Sequence, residues 1–538
     1  MSGMLPALDD AYIRRPRLWL AFFCVLYLAA AINFAIRTPP WQAPDEPAHY
    51  NYIAHIATHG TLPVLQMGDY DEAYRNYLVN ERFPADGDVS RLRYESYQPP
   101  LYYLLGAIVY RFGGGDLIAL RLFSVFLGLG DILLLYFTLR MVFPDKPLIS
   151  LGATAFAAFL PMHVAISAAV TNDILAELLV ISQVTVLLIW MRGRLELDAG
   201  TQPRLLLGLG LLLGLGLLTK IYAYAMVPLC VLAIVLTTWW VGRSWRAIGQ
   251  GIRLSLYSVL PAMVCGLPWW LRSMRLYGGW DLLGLQWHDQ VVAGQPTTSE
   301  WIAQHGIVQY SERAFSFTFQ SFWGVFGWLG IFMDARIYTA LLVMTGVIFL
   351  GLLWSLIRLI SGKPDTDIDD YQRWTLLVFA VMVGVVAASY IWYNTKFVQH
   401  QGRYFFWGLL PISTFVALGW REVMRPLQGV ITGILAAILA LALAFTGLLS
   451  GGINKWNVLT IGLVALLLLL QPLLYLGMDG YKIAWLPTRV QHFAARPAAA
   501  QIIRGLRIAA WATPFLLLAL LDLLIPTFYI LPQLYAHH

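Results

Sequence analysis

The stretch WQAPDEPAHYNYI, Trp41–Ile53, sets two adjacent carboxylates between two prolines, with a histidine two residues after the second, just beyond an apolar run over residues 18 to 36. A bilayer is crossed by ~20 mainly apolar residues, so the run before Trp41 is long enough to span and the polar stretch emerges at a membrane surface. The chain around it reads the same way. Its 538 residues are 59% hydrophobic and 12% charged, which leaves too little polar surface to cover soluble domains. The expected class is an all-α polytopic membrane protein. Cys24, Cys230 and Cys265 all lie in apolar runs, with neither disulfide nor metal-ligand spacing. The formal net charge of +6 matters less than where the basic residues fall along the chain.

Read with the same ruler, roughly thirteen stretches qualify as spans. They lie near residues 18–36, 120–142, 148–168, 173–191, 205–219, 221–241, 253–272, 337–357, 374–393, 404–420, 428–449, 456–477 and 508–531. Lysine and arginine in short loops set the orientation. With the N-terminus in the cytoplasm, Arg14, Arg15, Arg17, Arg140, Lys146, Arg192, Arg194, Arg358, Lys363, Arg373, Arg421 and Arg425 fall inside, and only Lys220, Lys396, Arg403 and Lys455 fall in short outer loops. The first apolar run carries no small-residue cleavage site, so it reads as a span and not a removable signal. Long outer segments then cover residues 37–119 and 273–336, and any active site is expected to open outward. Within the first segment, Leu101–Phe112 is too short to cross and starts after Pro99-Pro100. It reads as an interfacial or re-entrant helix, and the stretch after Pro47, where His49, Tyr52, Ile53 and Ile56 recur at helical spacing, behaves similarly.

Asp45 and Glu46 have a plain reading as helix cap and first-turn acid. They also fit a general base whose pKa is raised by burial and a second acid. Asp173 stands at the mouth of a span after Thr171-Asn172, which suit capping, but Glu177 one turn deeper is unexplained by capping and suggests a polar cavity. Asp131, midway along the second span, raises the same question; either acid could instead pair with a lysine or arginine for structure, the favoured expectation for Asp131. Lys220 fits a snorkelling lysine or a phosphate ligand. Arg403, in HQGRY (His400–Tyr404), sits at a helix start where a cation opposes the dipole, so it points to an anion such as a phosphorylated lipid. His55 and His59 are four apart but lack the glutamate of a zinc protease, and no metal is assigned to them. No phosphate-binding glycine loop or nucleic-acid motif is present, and nucleic acid is not expected as a partner.

Taken together, the acidic pair after the first span, Tyr97-Gln98-Pro99-Pro100-Leu101-Tyr102-Tyr103, Asn172-Asp173, Leu218-Thr219-Lys220 and Gln401-Gly402-Arg403-Tyr404 resemble the GT-C fold of membrane glycosyltransferases. That superfamily includes protein O-mannosyltransferases and lipid A aminoarabinose transferases. The likeness extends to a group of bacterial membrane proteins with Pro-Asp-Glu-Pro-x-His, Ser321-Phe322-Trp323-Gly324-x-Phe326-Gly327-Trp328 and His-Gln-Gly-Arg-Tyr. It implies a catalytic module over residues 1–425, with further helices over 426–538, in a bacterial cytoplasmic membrane. It also implies a polyprenyl-phosphate sugar as donor, an extracytoplasmic acceptor and an inverting transfer. Asp45, with Glu46, becomes the catalytic acid; His49, Gln98, Asp173, Lys220, His400, Arg403 and Tyr404 become substrate-binding candidates. No Asp-x-Asp stands in the second outer loop, so no cofactor is expected, although a divalent metal is compatible. The competing classes are a transporter or flippase for lipid-linked saccharides and a non-catalytic assembly partner.

Overall fold

The computed structural model describes residues 13, 15–197, 200–361, 368–478 and 481–535, and these are almost entirely helical. Arg14 and Lys363, two of the residues used for orientation, lie outside the described residues. The first span is α1 (Pro16–Arg37), followed by α2 (Glu46–His59), α3 (Glu72–Asn80) and α4 (Leu101–Phe112) in the first long loop. The bundle continues through α5 (Leu117–Val142), α6 (Pro147–Ala158), α7 (Pro161–Ser167), α8 (Asp173–Leu195), α9 (Pro203–Leu217), α10 (Met226–Gly242) and α11 (Trp245–Tyr277). The second long loop holds α12 (Leu285–Val291), α13 (Thr298–His305) and α14 (Ile307–Trp323). After it come α15 (Ala335–Ile360), α16 (Asp370–Asn394), α17 (Leu409–Val423), α18 (Pro426–Leu449), α19 (Lys455–Leu470), α20 (Thr488–Ala494), α21 (Pro497–Ile525) and α22 (Leu531–Tyr535).

Every apolar stretch marked in the sequence is helical, but ten helices among the described residues are long and apolar enough to cross a membrane. The stretch at 148–168 is broken into α6 and α7, which are inclined by 63°. Pro161 explains the break, because it has no N–H for the carbonyl four residues earlier and its ring clashes with continued helix. The stretch at 205–219 is the short α9 of 15 residues. The stretch at 404–420 divides into a 3-10 turn, Gly402–Gly408, and α17, also of 15 residues.

Close packing of the spans depends on small residues. Gly210 of α9 faces the backbone of Ser258 in α11 so closely that a Cβ would not fit. The last helices pack onto the earlier ones: α18 and α19 pair with each other and rest on α15 and α17, while α21 packs on α1, α6 and α7. In the first loop, α2 lies against α4, with the Tyr52 and Tyr103 rings stacked at 3.7 Å. The outer face of α4 leaves Leu104, Ile108 and Phe112 exposed, as an interfacial helix requires.

The two ends of the bundle differ. One gathers basic linkers and their partners: Lys146 donates to Gln372 at 3.1 Å, Arg192 pairs with Glu196 at 2.9 Å, and Arg358 pairs with Glu422 at 3.0 Å. The other collects α2, the start of α8, the end of α9 and the Gly402–Gly408 turn. A small hairpin, β1 (Val325–Phe326) with β2 (Ile331–Phe332), closes this second end. Trp328 in its turn donates its indole N–H to the carbonyl of Trp41 at 2.9 Å, which ties the Ser321–Trp328 motif to the start of the acidic stretch.

Candidate functional site

Asp45 and Glu46 are neighbours in sequence with separate surroundings. Asp45 precedes α2 in a left-handed conformation, φ 66°, and its side chain makes no capping bond to the helix. A non-glycine residue held there is uncommon, and aspartate is among the few that tolerate it. The turn leaves the carboxylate free to accept from Tyr94 Oη and from Arg403 Nη2, each at 2.9 Å. Glu46 instead is fully buried and bound by Arg121 through Nε at 2.8 Å and Nη2 at 2.6 Å. It also accepts from the backbone N–H groups of Trp41 at 3.2 Å and Val170 at 3.3 Å. Arg121 donates onward to the carbonyls of Ala35, Thr38 and Pro39. This pair joins the end of α1, α5 and the approach to α8 into a frame around Asp45.

A second ion pair lies beside the first. Lys220, in the extended step after α9, meets Asp173 at 2.6 Å and also donates to Asn172 Oδ1 at 2.8 Å. Asn172 does not cap α8 with its side chain. Its amide donates to the carbonyl of Thr219 at 3.1 Å and to Gln98 Oε1 at 3.4 Å, so the turn before α8 is bound to the Tyr97–Tyr103 motif. The backbone adds to this link, since the N–H of Leu101 reaches the carbonyl of Leu218 at 2.9 Å. His49, one turn into α2, hydrogen-bonds Tyr103 Oη at 2.9 Å and stacks on its ring. Arg403 lies over Tyr404, whose ring meets Tyr393 edge-on.

Arg403 is placed by a close backbone approach. Gly402 lies against the backbone of Phe322 in α14 so tightly that any side chain would collide with it, and its N–H donates to Ser321 Oγ at 2.9 Å. The glycine of the HQGRY motif and the serine and phenylalanine of the Ser321–Trp328 motif are thus one joint. His400 lies on the far side of it: buried, edge-on to Tyr310 and with neither ring nitrogen hydrogen-bonded. Asp45, His49, Gln98, Asp173, Lys220, Arg403 and Tyr404 therefore share one cluster, whereas Glu46 and His400 stand apart from it.

The electrostatics reverse one expectation. Burial raises the Asp45 pKa, but the Arg403 guanidinium, together with the nearby His49 and the bonds from Arg403 and Tyr94, outweighs it and holds the carboxyl below its ordinary value. The neighbour that is raised is Glu95, which the sequence reading did not single out. Burial and then the charge of Asp45 push it up to about 7. Its Oε2 is buried without a hydrogen-bond partner. His49 is pushed down to about 3, by burial and then by Lys220, so it stays neutral. The one signal for Glu95 in the sequence was its place three residues before Gln98.

Comparison with known proteins follows the same outline. Residues 97–264 match the family model of dolichyl-phosphate-mannose-protein mannosyltransferases. Among solved structures, the chain superposes on ArnT from Cupriavidus metallidurans bound to undecaprenyl phosphate with a TM-score of 0.50 at 15% identity, covering 94% of this chain and 76% of that one. The fold is that of the GT-C membrane glycosyltransferases. The Archaeoglobus fulgidus oligosaccharyltransferase, solved with zinc and sulfate, aligns at 14% identity and a TM-score of 0.45 over 83% of this chain and 53% of that one. The S. cerevisiae Pmt1-Pmt2 complex bound to its sugar donor aligns at 19% identity and 0.35 over 49% and 35%. No curated protein matches the chain.

Within this GT-C fold, the carboxylates of the cluster already have cationic partners. Among the described residues, three potential metal ligands converge in a different place, at Asp131, His163 and Glu177. Asp131 does not have the lysine or arginine partner expected of it, since both its oxygens are buried without a hydrogen bond. The exposed His55 and His59 stack on each other at 4.6 Å.

Proposed function

We propose that this protein is a GT-C glycosyltransferase that moves a sugar from a polyprenyl-phosphate donor to an extracytoplasmic hydroxyl, with Asp45 as the catalytic base. The observation that carries the reading is the Asp45 carboxylate. A strained backbone turn releases it from helix capping and presents it, partly exposed, to Arg403 in a cluster of two ion pairs. A cap would hold the carboxylate against the helix; this one is directed into the cluster.

The acceptor O–H gives its proton to Asp45 as the oxygen attacks the anomeric carbon. The bond from that carbon to the donor phosphate oxygen breaks, and the phosphate leaves with the electron pair. Arg403 and Lys220 are the two cations at hand for that charge. Both are ion-paired in the structure, so donor binding is an exchange: the phosphate draws Arg403 from Asp45. That exchange removes the influence which depresses the Asp45 pKa, so the base strengthens when the donor is in place. A single displacement inverts the anomeric centre. Glu95, titrating near neutrality beside Asp45, is suited to take the proton onward.

Glu46 in this reading is a positioning residue, and so is His49, which stays neutral. In this reading the N-terminus lies in the cytoplasm and the cluster faces outward, a placement that the distribution of basic residues supports. The helices over 426–538 act as support to the catalytic part, 1–425. The undecaprenyl phosphate in the ArnT structure fits a donor of this chemistry.

The test is release of free polyprenyl phosphate from a radiolabelled polyprenyl-phosphate sugar by the purified protein. Release by the wild-type protein and its loss in the Asp45→Asn variant support the reading. Movement of intact donor across a proteoliposome membrane without release would make the protein a flippase instead.

A further inference from the structure

A third group of ionisable side chains lies deeper in the bundle than the two ion pairs. Asp131 comes from the middle of α5, His163 from α7 just after the helix break, and Glu177 from α8 one turn below Asp173. They are 1%, 1% and 4% exposed. One ligand atom from each lies within 4.8 Å of the others, and His163 Nε2 stands 3.2 Å from Glu177 Oε2. Both Asp131 oxygens and Glu177 Oε1 have no hydrogen-bond donor. We propose that these three residues bind one divalent transition-metal ion, with zinc as the best fit, inside the membrane-spanning bundle.

The histidine tautomer is fixed by the break in the helix. Pro161 supplies no N–H to the carbonyl of Ala157, four residues earlier, and that carbonyl is left for another donor. His163 Nδ1 lies 3.0 Å from it. A carbonyl oxygen only accepts, so Nδ1 carries a proton and Nε2 is the nitrogen that faces Glu177. With the ring neutral, a lone pair then meets a carboxylate oxygen with nothing between them. A proton on Nε2 would relieve that one contact and leave Asp131 buried without a donor. A divalent cation answers all three groups at once: it balances two carboxylates and accepts the imidazole lone pair. The Ala157 carbonyl behind the ring is the kind of outer partner that orients metal-bound histidine.

The donor set selects among ions. Imidazole with carboxylates suits zinc and its neighbours, whereas calcium and magnesium favour oxygen alone. Zinc bonds of about 2.0–2.2 Å to nitrogen and oxygen place ligands roughly 3.3–3.6 Å apart in a tetrahedron. The His163–Glu177 separation of 3.2 Å is already close to that. The ion would act as a brace. It joins α5, α7 and α8 under the cluster, and His163 packs edge-on at 5.6 Å against Phe406, in the turn that carries Arg403. Nothing in this assignment depends on the glycosyl-transfer reading.

The experiment uses the full chain purified in detergent, stripped with chelator, equilibrated with zinc and freed of excess. A His55→Ala/His59→Ala background removes the exposed histidine pair as a competing site. Elemental analysis is expected to give close to one zinc per chain, with X-ray absorption showing nitrogen and oxygen ligands that include an imidazole. Asp131→Asn and Glu177→Gln are expected to lose that zinc while eluting as folded protein. Should either variant fail to fold, the wild-type result decides: a chain in this background that retains no zinc, or zinc with no imidazole ligand, overturns the proposal. Full zinc retention by folded Asp131→Asn and Glu177→Gln variants overturns it equally.

Discussion

Replacing Asp45 with asparagine (Asp45→Asn) removes one charge and very little else. Asparagine is as tolerant of the left-handed backbone as aspartate, so the φ of 66° before α2 needs no adjustment. The amide oxygen still accepts from Tyr94 or Arg403. What the fold loses is an ion pair whose side chains are 27% and 13% exposed, worth about 1 kcal/mol once solvent screening is allowed for. What the proposed reaction loses is its base. Positioned proton transfer contributes about 10²–10⁴-fold, or roughly 3–5 kcal/mol of barrier. A fall of that size in kcat, with a melting temperature in detergent little changed, is the expected result. The KM for the donor should not rise, because Arg403 no longer has to leave a carboxylate to reach the phosphate. The assay is polyprenyl phosphate release at saturating donor, with circular dichroism melts on the same samples. An Asp45→Asn variant within a few-fold of wild-type kcat would refute the assignment. So would a loss of activity that merely follows a loss of folded protein.

Other changes separate the site from its frame. Glu95 is protonated below about pH 7 and ionised above it, so the rate of transfer should climb through that pH and the Glu95→Gln variant should lose this limb of the profile. The same group has a stability signature: the folded carboxyl keeps its proton up to about pH 7, whereas an unfolded glutamate releases it near pH ~4.3, so its contribution to stability falls as pH rises across that interval. Glu46→Gln leaves Arg121 buried with its charge uncompensated, which costs about 3–5 kcal/mol; a melting temperature equal to wild type would contradict a framing role. Gly402→Ala drives a methyl group into the Phe322 backbone, and it should lower both the melting temperature and the rate by displacing Arg403; unchanged values for both would mean that the joint is softer than its geometry indicates.

Much of the fold was legible because membrane spans are written in long apolar runs. The exceptions were short or broken ones. The bend after α6 is announced by Pro161, but residues 148–168 together remain apolar enough to pass as one span, so a window of span length reads straight through. In the cluster, Asp173, Lys220 and Arg403 stood out because polar residues at the ends of apolar runs are scarce. Their ion-paired state did not, since partners 47 and 358 residues apart in Lys220–Asp173 and Arg403–Asp45 leave no local pattern. Glu95 was hidden for the opposite reason. It sits among charged and polar neighbours in the first loop, and only the fold removes it from water and sets it beside Asp45.

The acidic pair shows how far a sequence motif can be resolved by backbone geometry alone. Two adjacent carboxylates at a helix start look equivalent in sequence, and either could be the base or the cap. In the structure the difference is one dihedral angle. The left-handed turn at Asp45 sends successive side chains in different directions, Glu46 to Arg121 in the frame and Asp45 to Arg403 in the cluster. Glu46 also receives the N–H of Val170, three residues before Asp173. The buried pair therefore fixes both the turn that presents Asp45 and the loop that presents Asp173. A frame of this kind does not need to touch a substrate to set the distance between the two ion pairs. Its failure would appear as loss of both pairs together, whereas loss of Asp45 alone would leave Lys220 and Asp173 where they are.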